Sequence, residues 1–172
     1  MSLEKQEEVL SLDEEGGDYK LYLIPRENNS FPVDRKVATM SELVKTMADG
    51  DSDTDIPLPN VKGQILKKVI DYMQYHHENP PKDIEKPLKS ATMNEVVSKW
   101  DAQFVEVPQE TLFELILAAN YMDIKPLLDL TCAKVASMIK GKNPEQIRQT
   151  FNIKNDFTPA EEEAVRAENK WA

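Results

Sequence analysis

The chain has 172 residues, of which 40% are hydrophobic and 30% are charged, and its net charge at pH 7 is -10. This size and composition indicate a soluble globular protein with a core of its own. The excess of acidic groups disfavours nucleic acid, whose phosphates it would repel. No apolar run approaches the roughly 20 residues of a membrane span, and the acidic start lacks the layout of a signal peptide. We therefore expect an intracellular protein with no nucleic-acid and no membrane partner.

Residues that carry most enzyme and metal chemistry are scarce. The single cysteine, Cys132, cannot form an internal disulfide, and a nucleophilic role would need a positioned base. The only histidines, His76 and His77, are adjacent, so on a helix they point about 100° apart and do not easily share a metal ion. The five glycines form no phosphate-binding loop. We expect no catalytic residue, no metal site and no cofactor.

The N-terminal part predicts a leader followed by a hairpin. Residues 1–18 carry seven acidic groups against one lysine, which is typical of a flexible segment. Residues 19–24 are aromatic and aliphatic, which predicts a strand, and residues 31–34 are the expected returning strand. Pro32 in that second strand favours an edge position.

Short elements follow the hairpin. Residues 37–47 predict one or two helical turns, with Ser41 as an N-cap. The aspartates of residues 49–55 resemble the start of a calcium-binding loop, but neither register places glycine at the sixth position and glutamate at the twelfth. A solvated acidic loop is the better interpretation, and residues 56–59 predict a short extended piece because two prolines interrupt them.

The first long helix is expected after Asn60, a good N-cap, and ends near His77. Its apolar residues have helical spacing: Val61, Ile65, Leu66, Val69, Ile70 and Met73. Residues 80–97 are polar and weakly periodic, which predicts a mobile insert. Trp100 and Phe104 have helical spacing and anchor its far end, with Asp101 as a possible cap of that turn.

A second helix, over residues 108–121, is apolar on nearly every side between Leu112 and Ala119. Such a helix is either the centre of the core or has a face that binds something outside the chain. Residues 123–140 predict the next helix, with Asp123 as N-cap, Pro126 in the first turn and Gly141 as the stop.

The C-terminal part predicts two short helices that begin with the same arrangement of N-cap, proline and capping-box residue. Asn143-Pro144 and Gln146 form a capping box for a helix that ends near Phe151. Thr158-Pro159 and Glu161 repeat the device for a helix that ends near Trp171. The apolar face of this last helix is thin, so Trp171 is a candidate interface anchor.

Two long stretches carry a family resemblance. Residues 111–172 read TLFELILAANYMDIKPLLDLTCAKVASMIKGKNPEQIRQTFNIKNDFTPAEEEAVRAENKWA, and residues 56–76 read IPLPNVKGQILKKVIDYMQYH. Both resemble the Skp-type adaptors of cullin–RING ubiquitin ligases, which are relatives of elongin C. The pairing of NIKNDFT with a terminal EN-x-W is the most specific part. The likeness covers most of residues 19–172 and is weakest in residues 1–18 and 80–97.

The resemblance implies a BTB/POZ fold, a mainly helical α+β arrangement with a small sheet and a helical bundle. Residues 19–140 would form this BTB/POZ-like domain, after the leader of residues 1–18 and with the mobile insert at about 80–97. Residues 141–172 would form a two-helix C-terminal extension that binds F-box proteins.

The resemblance also implies a function. The chain would be a non-catalytic adaptor of an SCF-type E3 ubiquitin ligase that links F-box substrate receptors to the cullin scaffold, and indirectly to the RING subunit, in the cytoplasm and nucleus. Asn120 and Tyr121 would contact the cullin. The F-box surface would comprise Leu112, Ile116, Cys132, Val135, Ile147, Phe151, Asn152, Ile153, Lys154 and Trp171.

A different BTB-type module, self-associating or similar to elongin C, is the alternative. It would have no use for the two terminal helices. A weak homodimer of the free adaptor is compatible with both readings, because an exposed apolar surface favours self-association.

Overall fold

A computed structural model describes residues 19–50 and 54–169 of the protein. The predicted leader and Trp171 lie outside these residues. By internal contacts the chain divides into two compact units, Met1–His77 and Glu78–Ala172. In the described ranges the chain forms three strands and nine helices, which confirms the mainly helical α+β class. None of the helices in these ranges has the length and apolar character needed to cross a membrane.

The first unit contains a small mixed sheet. Strands β1 (Lys20–Pro25), β2 (Phe31–Asp34) and β3 (Asp55–Leu58) lie in the order β2-β1-β3. β1 pairs with β2 antiparallel and with β3 parallel. Alternate residues of the strands are buried, as expected when one face covers a core. The predicted hairpin is confirmed, and so is the edge position of the strand that holds Pro32.

Three helices complete this unit: α1 (Arg35–Ala38), α2 (Glu42–Gly50) and α3 (Gly63–Glu78). Ser41 caps α2 as predicted, because its Oγ accepts the N–H of Val44 at 3.2 Å. The predicted apolar stripe of α3 is also confirmed, since Ile65, Leu66, Val69, Ile70 and Met73 are buried.

The predicted N-cap of α3 is wrong. Asn60 lies in a turn in which the N–H of Val61 donates to the carbonyl of Leu58, so the helix begins only at Gly63. The N–H of Gly63 donates instead to Glu27 Oε2 at 2.7 Å. The first turn of α3 is therefore capped by a residue that is distant in sequence, which no local pattern indicates.

The second unit begins with the segment that was predicted to be an insert. Residues 93–96 form the helical turn α4 (Met93–Val96), and Met93 is buried, so the C-terminal end of this segment is helical. Helix α5 (Lys99–Phe104) follows, with the rings of Trp100 and Phe104 stacked at a centroid distance of 5.1 Å. Ser98, not Asp101, caps α5 by accepting the N–H of Asp101. Mobility of the insert stays a prediction.

Helices α6 (Gln109–Tyr121) and α7 (Lys125–Ile139) form the centre of the second unit. Asp123 was predicted as the N-cap of α7, and this prediction is wrong. Asp123 has a φ of 52°, in the left-handed region, and Ile124 is the residue that precedes the helix. Pro126 lies in the first turn and Gly141, with a φ of 75°, follows the helix, as predicted.

Helices α8 (Pro144–Phe151) and α9 (Pro159–Glu168) end the described chain. Both predicted capping boxes are present, one between Asn143 and Gln146 and the other between Thr158 and Glu161. These two starts were predictable because every atom of a capping box lies within four consecutive residues.

Candidate protein-binding surface

Helix α6 has two apolar faces with different surroundings. Leu115, Ala118 and Ala119 are buried in the core. Phe113 and Leu117, one turn apart, are 41% and 68% exposed. Large apolar groups exposed in a row on one helix favour a protein-binding surface. The apolar run therefore supplies both a core face and an outward face.

The outward stripe of α6 continues to its C-terminal end. Asn120 is exposed and Tyr121 is half-buried. The spacing of residues 113, 117, 120 and 121 places them on one side of the helix. The two residues that the resemblance assigned to the cullin thus lie on the same side as Phe113 and Leu117.

Leu112, which the resemblance assigned to the F-box surface, is buried in this structure. Its side chain is only 1% exposed, because it points into the core beside Leu115. Its neighbour Phe113 takes the outward position, and Ile116 is half-buried. A helix that is apolar all round carries no periodicity to show which residue faces outward, so the sequence could not show that Phe113 and not Leu112 is exposed.

Phe113 also connects α6 to α8. Its ring lies against that of Phe151, with centroids 6.1 Å apart and planes at 47°. The side-chain amide of Gln109 donates to the carbonyl of Thr150, and Lys142 Nζ lies 2.9 Å from Thr150 Oγ1. The aromatic pair and the Gln109 contact thus place α8 beside the outward face of α6, whereas the Lys142 contact joins α8 only to the turn before it.

Helix α7 adds a second exposed strip. Leu127, Leu130 and Ala133 are buried. Cys132 is exposed and Val135 is half-buried, so both predicted residues can be reached from outside, as can Ile139. The lysine between them, Lys134, is held by Glu106 Oε2 at 2.7 Å.

The segment after α8 is exposed and carries two large apolar side chains. Asn152 has left-handed backbone angles, and the N–H of Ile153 donates to the carbonyl of Arg148 at 2.8 Å, which turns the chain away from the helix. Ile153 and Phe157 are 54% and 47% exposed. Among the remaining predicted residues, Ile147 is half-buried and Lys154 is exposed.

The sequence did not indicate four further exposed apolar residues: Phe113, Leu117, Ile139 and Phe157. The pair at 113 and 117 has the i, i+4 spacing of one helix face, a signal that was present but could not be separated from the core residues around it. Phe157 lies between two short helices, where no period applies.

Ion pairs, not a core, hold α8 and α9 together. Arg166 Nη2 lies 2.8 Å from Glu145, and Arg148 Nη1 lies 3.5 Å from Glu162. The guanidinium of Arg148 also lies over the ring of Phe157, 5.9 Å from its centroid. No described residue of α8 or α9 is buried. Exposed pairs each stabilise by only about 0–1 kcal/mol, so this extension has little stability of its own.

One carboxyl in the extension has a perturbed pKa. The backbone N–H of Thr158 and then its hydroxyl donate to Glu161, both at 2.8 Å from Oε2. Both bonds favour the ionised carboxylate, so they lower the pKa of Glu161 below its ordinary value. The N-terminal cap of α9 therefore depends on a charged Glu161.

Within residues 19–50 and 54–169, no three His, Cys, Asp or Glu side chains are placed to hold a metal ion together. What the geometry offers is an apolar surface on α6, α7 and α8 and a weakly held extension. Such an arrangement fits contact with another protein.

Known proteins of one family match this chain over most of its length. Residues 20–78 match the POZ sequence model described as "Skp1 family, tetramerisation domain", and residues 125–172 match "Skp1 family, dimerisation domain". The first match covers the sheet and α3, which confirms the POZ-type fold.

Similar proteins come from distant lineages. The S-phase kinase-associated protein 1 homolog of Tetrahymena thermophila is 52% identical over 158 residues, which are 91% of this chain and 95% of that protein. SKP1-like protein 1A of Arabidopsis thaliana is 53% identical over 89% of this chain and 96% of its own length. The SCF ubiquitin ligase complex protein SKP1a of Dictyostelium discoideum is 54% identical over 82% of this chain and 88% of its own length.

Proposed function

The chain belongs to the Skp1 family, and we propose from this that it is the adaptor subunit of an SCF-type E3 ubiquitin ligase. Relatives at about this level of identity carry the names SCF ubiquitin ligase complex protein and E3 ubiquitin ligase complex SCF subunit. In that role the chain catalyses nothing. It binds an F-box substrate receptor at one site and the cullin scaffold at another, and the RING subunit joins through the cullin.

The observation that carries the proposal is the exposed apolar surface beside a complete core. Phe113, Phe151, Ile153 and Phe157 are exposed or half-buried, while Leu112 and Leu115 already fill the interior. F-boxes are apolar helical segments, and an amphipathic helix binds by laying its apolar face into an apolar groove. Helices α6 and α7 supply the floor of such a groove, and the α8–α9 extension supplies its movable wall.

The cullin site lies at the other end of α6, at Asn120 and Tyr121. Tyrosine is a favoured interface anchor because it brings a large rigid ring and a hydroxyl at small entropic cost. Since one helix carries both sites, receptor and scaffold keep a fixed relative orientation. That rigidity is what an adaptor contributes, because a transferred group must reach a substrate held by a different subunit.

The experiment is a pull-down with two opposed variants. Tyr121→Lys places a charge in the cullin contact, so cullin recovery is lost while F-box receptors are retained. Deletion of residues 155–172 has the reverse effect. Gln103→Lys, which introduces the same charge at an exposed position on α5, is the control and alters neither. If both changes reduce both partners equally, the two-site account is wrong.

Self-association is a second candidate function, and the names of the two matched models, with their dimerisation and tetramerisation domains, favour it. An exposed apolar surface of this kind also pairs weakly with itself. Light scattering of the full chain, with and without a bound F-box receptor, separates the cases. A dimer that dissociates when an F-box receptor binds is a by-product of the adaptor surface, whereas a dimer unaffected by the receptor is a function in its own right.

A further inference from the structure

A pocket of about 410 Å³ opens in the second unit, and it shares only Cys132 with the surface assigned above. One wall is the segment of residues 83–89, here called the strap, which contributes Ile84, Lys86, Pro87 and Leu88. The other wall is one side of α7. It contributes Asp129, Cys132, Ala133, Ala136 and Lys140.

The pocket exists because small side chains of α7 face larger ones of the strap. Cys132, Ala133 and Ala136 fill little volume, and Ile84 and Leu88 are only half-buried above them. Lys86 Nζ lies 2.9 Å from Asp129 Oδ1 and fastens the strap to the helix. Lys89 and Glu85 pair at 2.6 Å inside the strap. The result is an apolar cleft with charged groups among its lining residues.

Cys132 belongs to both the pocket and the proposed F-box surface. Residues 129, 132 and 136 of α7, with Lys140 directly after the helix, follow each other at three- and four-residue steps and form one stripe. Cys132 is the edge of that stripe nearest Val135. A helix docked on Cys132 and Val135 would therefore have the mouth of the pocket within reach of one side chain.

We propose that this pocket is a subsite of the receptor groove and takes one large apolar side chain of the bound F-box. The proposal rests on the function proposed above. The volume suits an aromatic or long aliphatic group, the kind of buried anchor that carries most of the energy of an interface. The strap then becomes part of the receptor-binding surface.

Ala136→Trp tests the subsite in the full chain by filling the pocket from an exposed position. The probe is a purified F-box receptor recovered with the wild-type chain in the pull-down. Its affinity is expected to fall by about tenfold or more, with cullin binding unchanged. Ala91→Trp makes the same change at an exposed position that does not line the pocket, and leaves both affinities unaltered.

Hydrogen exchange on the wild-type chain gives a second readout that needs no variant. Receptor binding slows exchange of the strap amides. Unchanged receptor affinity in Ala136→Trp, or strap amides that exchange equally fast in the complex, would overturn the subsite alone. A wild-type chain that recovers no F-box receptor would instead overturn the proposed function, and the subsite with it.

If Ala136→Trp also loses cullin, the variant is misfolded and the exchange result decides. If it loses only self-association, the occupant is a second copy of this chain and the proposal is wrong.

Discussion

Two neighbouring helix pairs in the second unit are held together by different forces. Helices α6 and α7 pack through buried side chains such as Leu115, Leu127 and Leu130. Helices α8 and α9 have no buried residue in the described part and depend on caps, exposed ion pairs and the contact of Phe151 with Phe113. The first pair is a scaffold that stands without a partner. The second pair is helical, but the contacts that hold it to the scaffold are weak. Such a pair suits a wall that closes on a receptor.

The largest expected effect is a difference in the free energy of unfolding between substitutions on the two faces of α6. Leu115→Ala removes a fully buried side chain and should lower the free energy of unfolding by about 2–5 kcal/mol. Leu117→Ala, two residues further on, removes a mostly exposed one and should change it by no more than about 0.5 kcal/mol. Chemical denaturation measures both. Equal losses would mean that α6 has no outward face and that the contrast is wrong.

A smaller effect is expected where the two helix pairs meet. Phe151→Ala removes the ring that contacts Phe113, and such pairs contribute about 0.5–1.5 kcal/mol. Because the contact serves only to dock α8, amide exchange should accelerate in α8 and α9 while α7 stays protected. Val165→Ala, on an exposed side of α9, is the matched control and should alter neither. Loss of protection in α7 as well would show that the extension supports the scaffold.

The smallest effect is a pH dependence confined to the extension. Thr158 lowers the pKa of Glu161, so the stabilisation of the cap is fully present above the ordinary glutamate pKa and is lost as pH falls through the lowered value. An NMR titration of the Glu161 carboxyl should give a midpoint below the ordinary value for a glutamate. Thr158→Ala removes one of the two donors and should move the midpoint part of the way back. An ordinary midpoint in the native chain would mean that the cap is not formed.

Features that depend on contacts between chain neighbours could be predicted from the sequence, whereas features that depend on distant residues could not. The capping boxes at Asn143 and Thr158 and the cap at Ser41 involve neighbours in the chain, and all three are present. The start of α3 depends on Glu27, 36 residues before Gly63, so a local reading chose Asn60 instead.

The resemblance identified the helices that form the candidate surface, but not which residues of α6 face outward. Resemblance placed it on α6, α7 and α8, and Cys132, Val135 and Phe151 are indeed exposed or half-buried there. It also chose Leu112, which lies in the core, because an uninterrupted apolar run has no period from which to read a direction. The strap pocket was not predictable, since residues 83–89 show no periodicity and their position depends on the contact of Lys86 with Asp129.

Hydrogen exchange of α8 and α9, measured on the full chain with and without a bound F-box receptor, tests the central claim most directly. In the free chain the amides of Pro144–Phe151 and Pro159–Glu168 should exchange far faster than those of α6 and α7. With the receptor bound they should become protected, while α6 and α7 change little. A free chain in which α8 and α9 are already as protected as α7, with no change on receptor binding, would contradict the account.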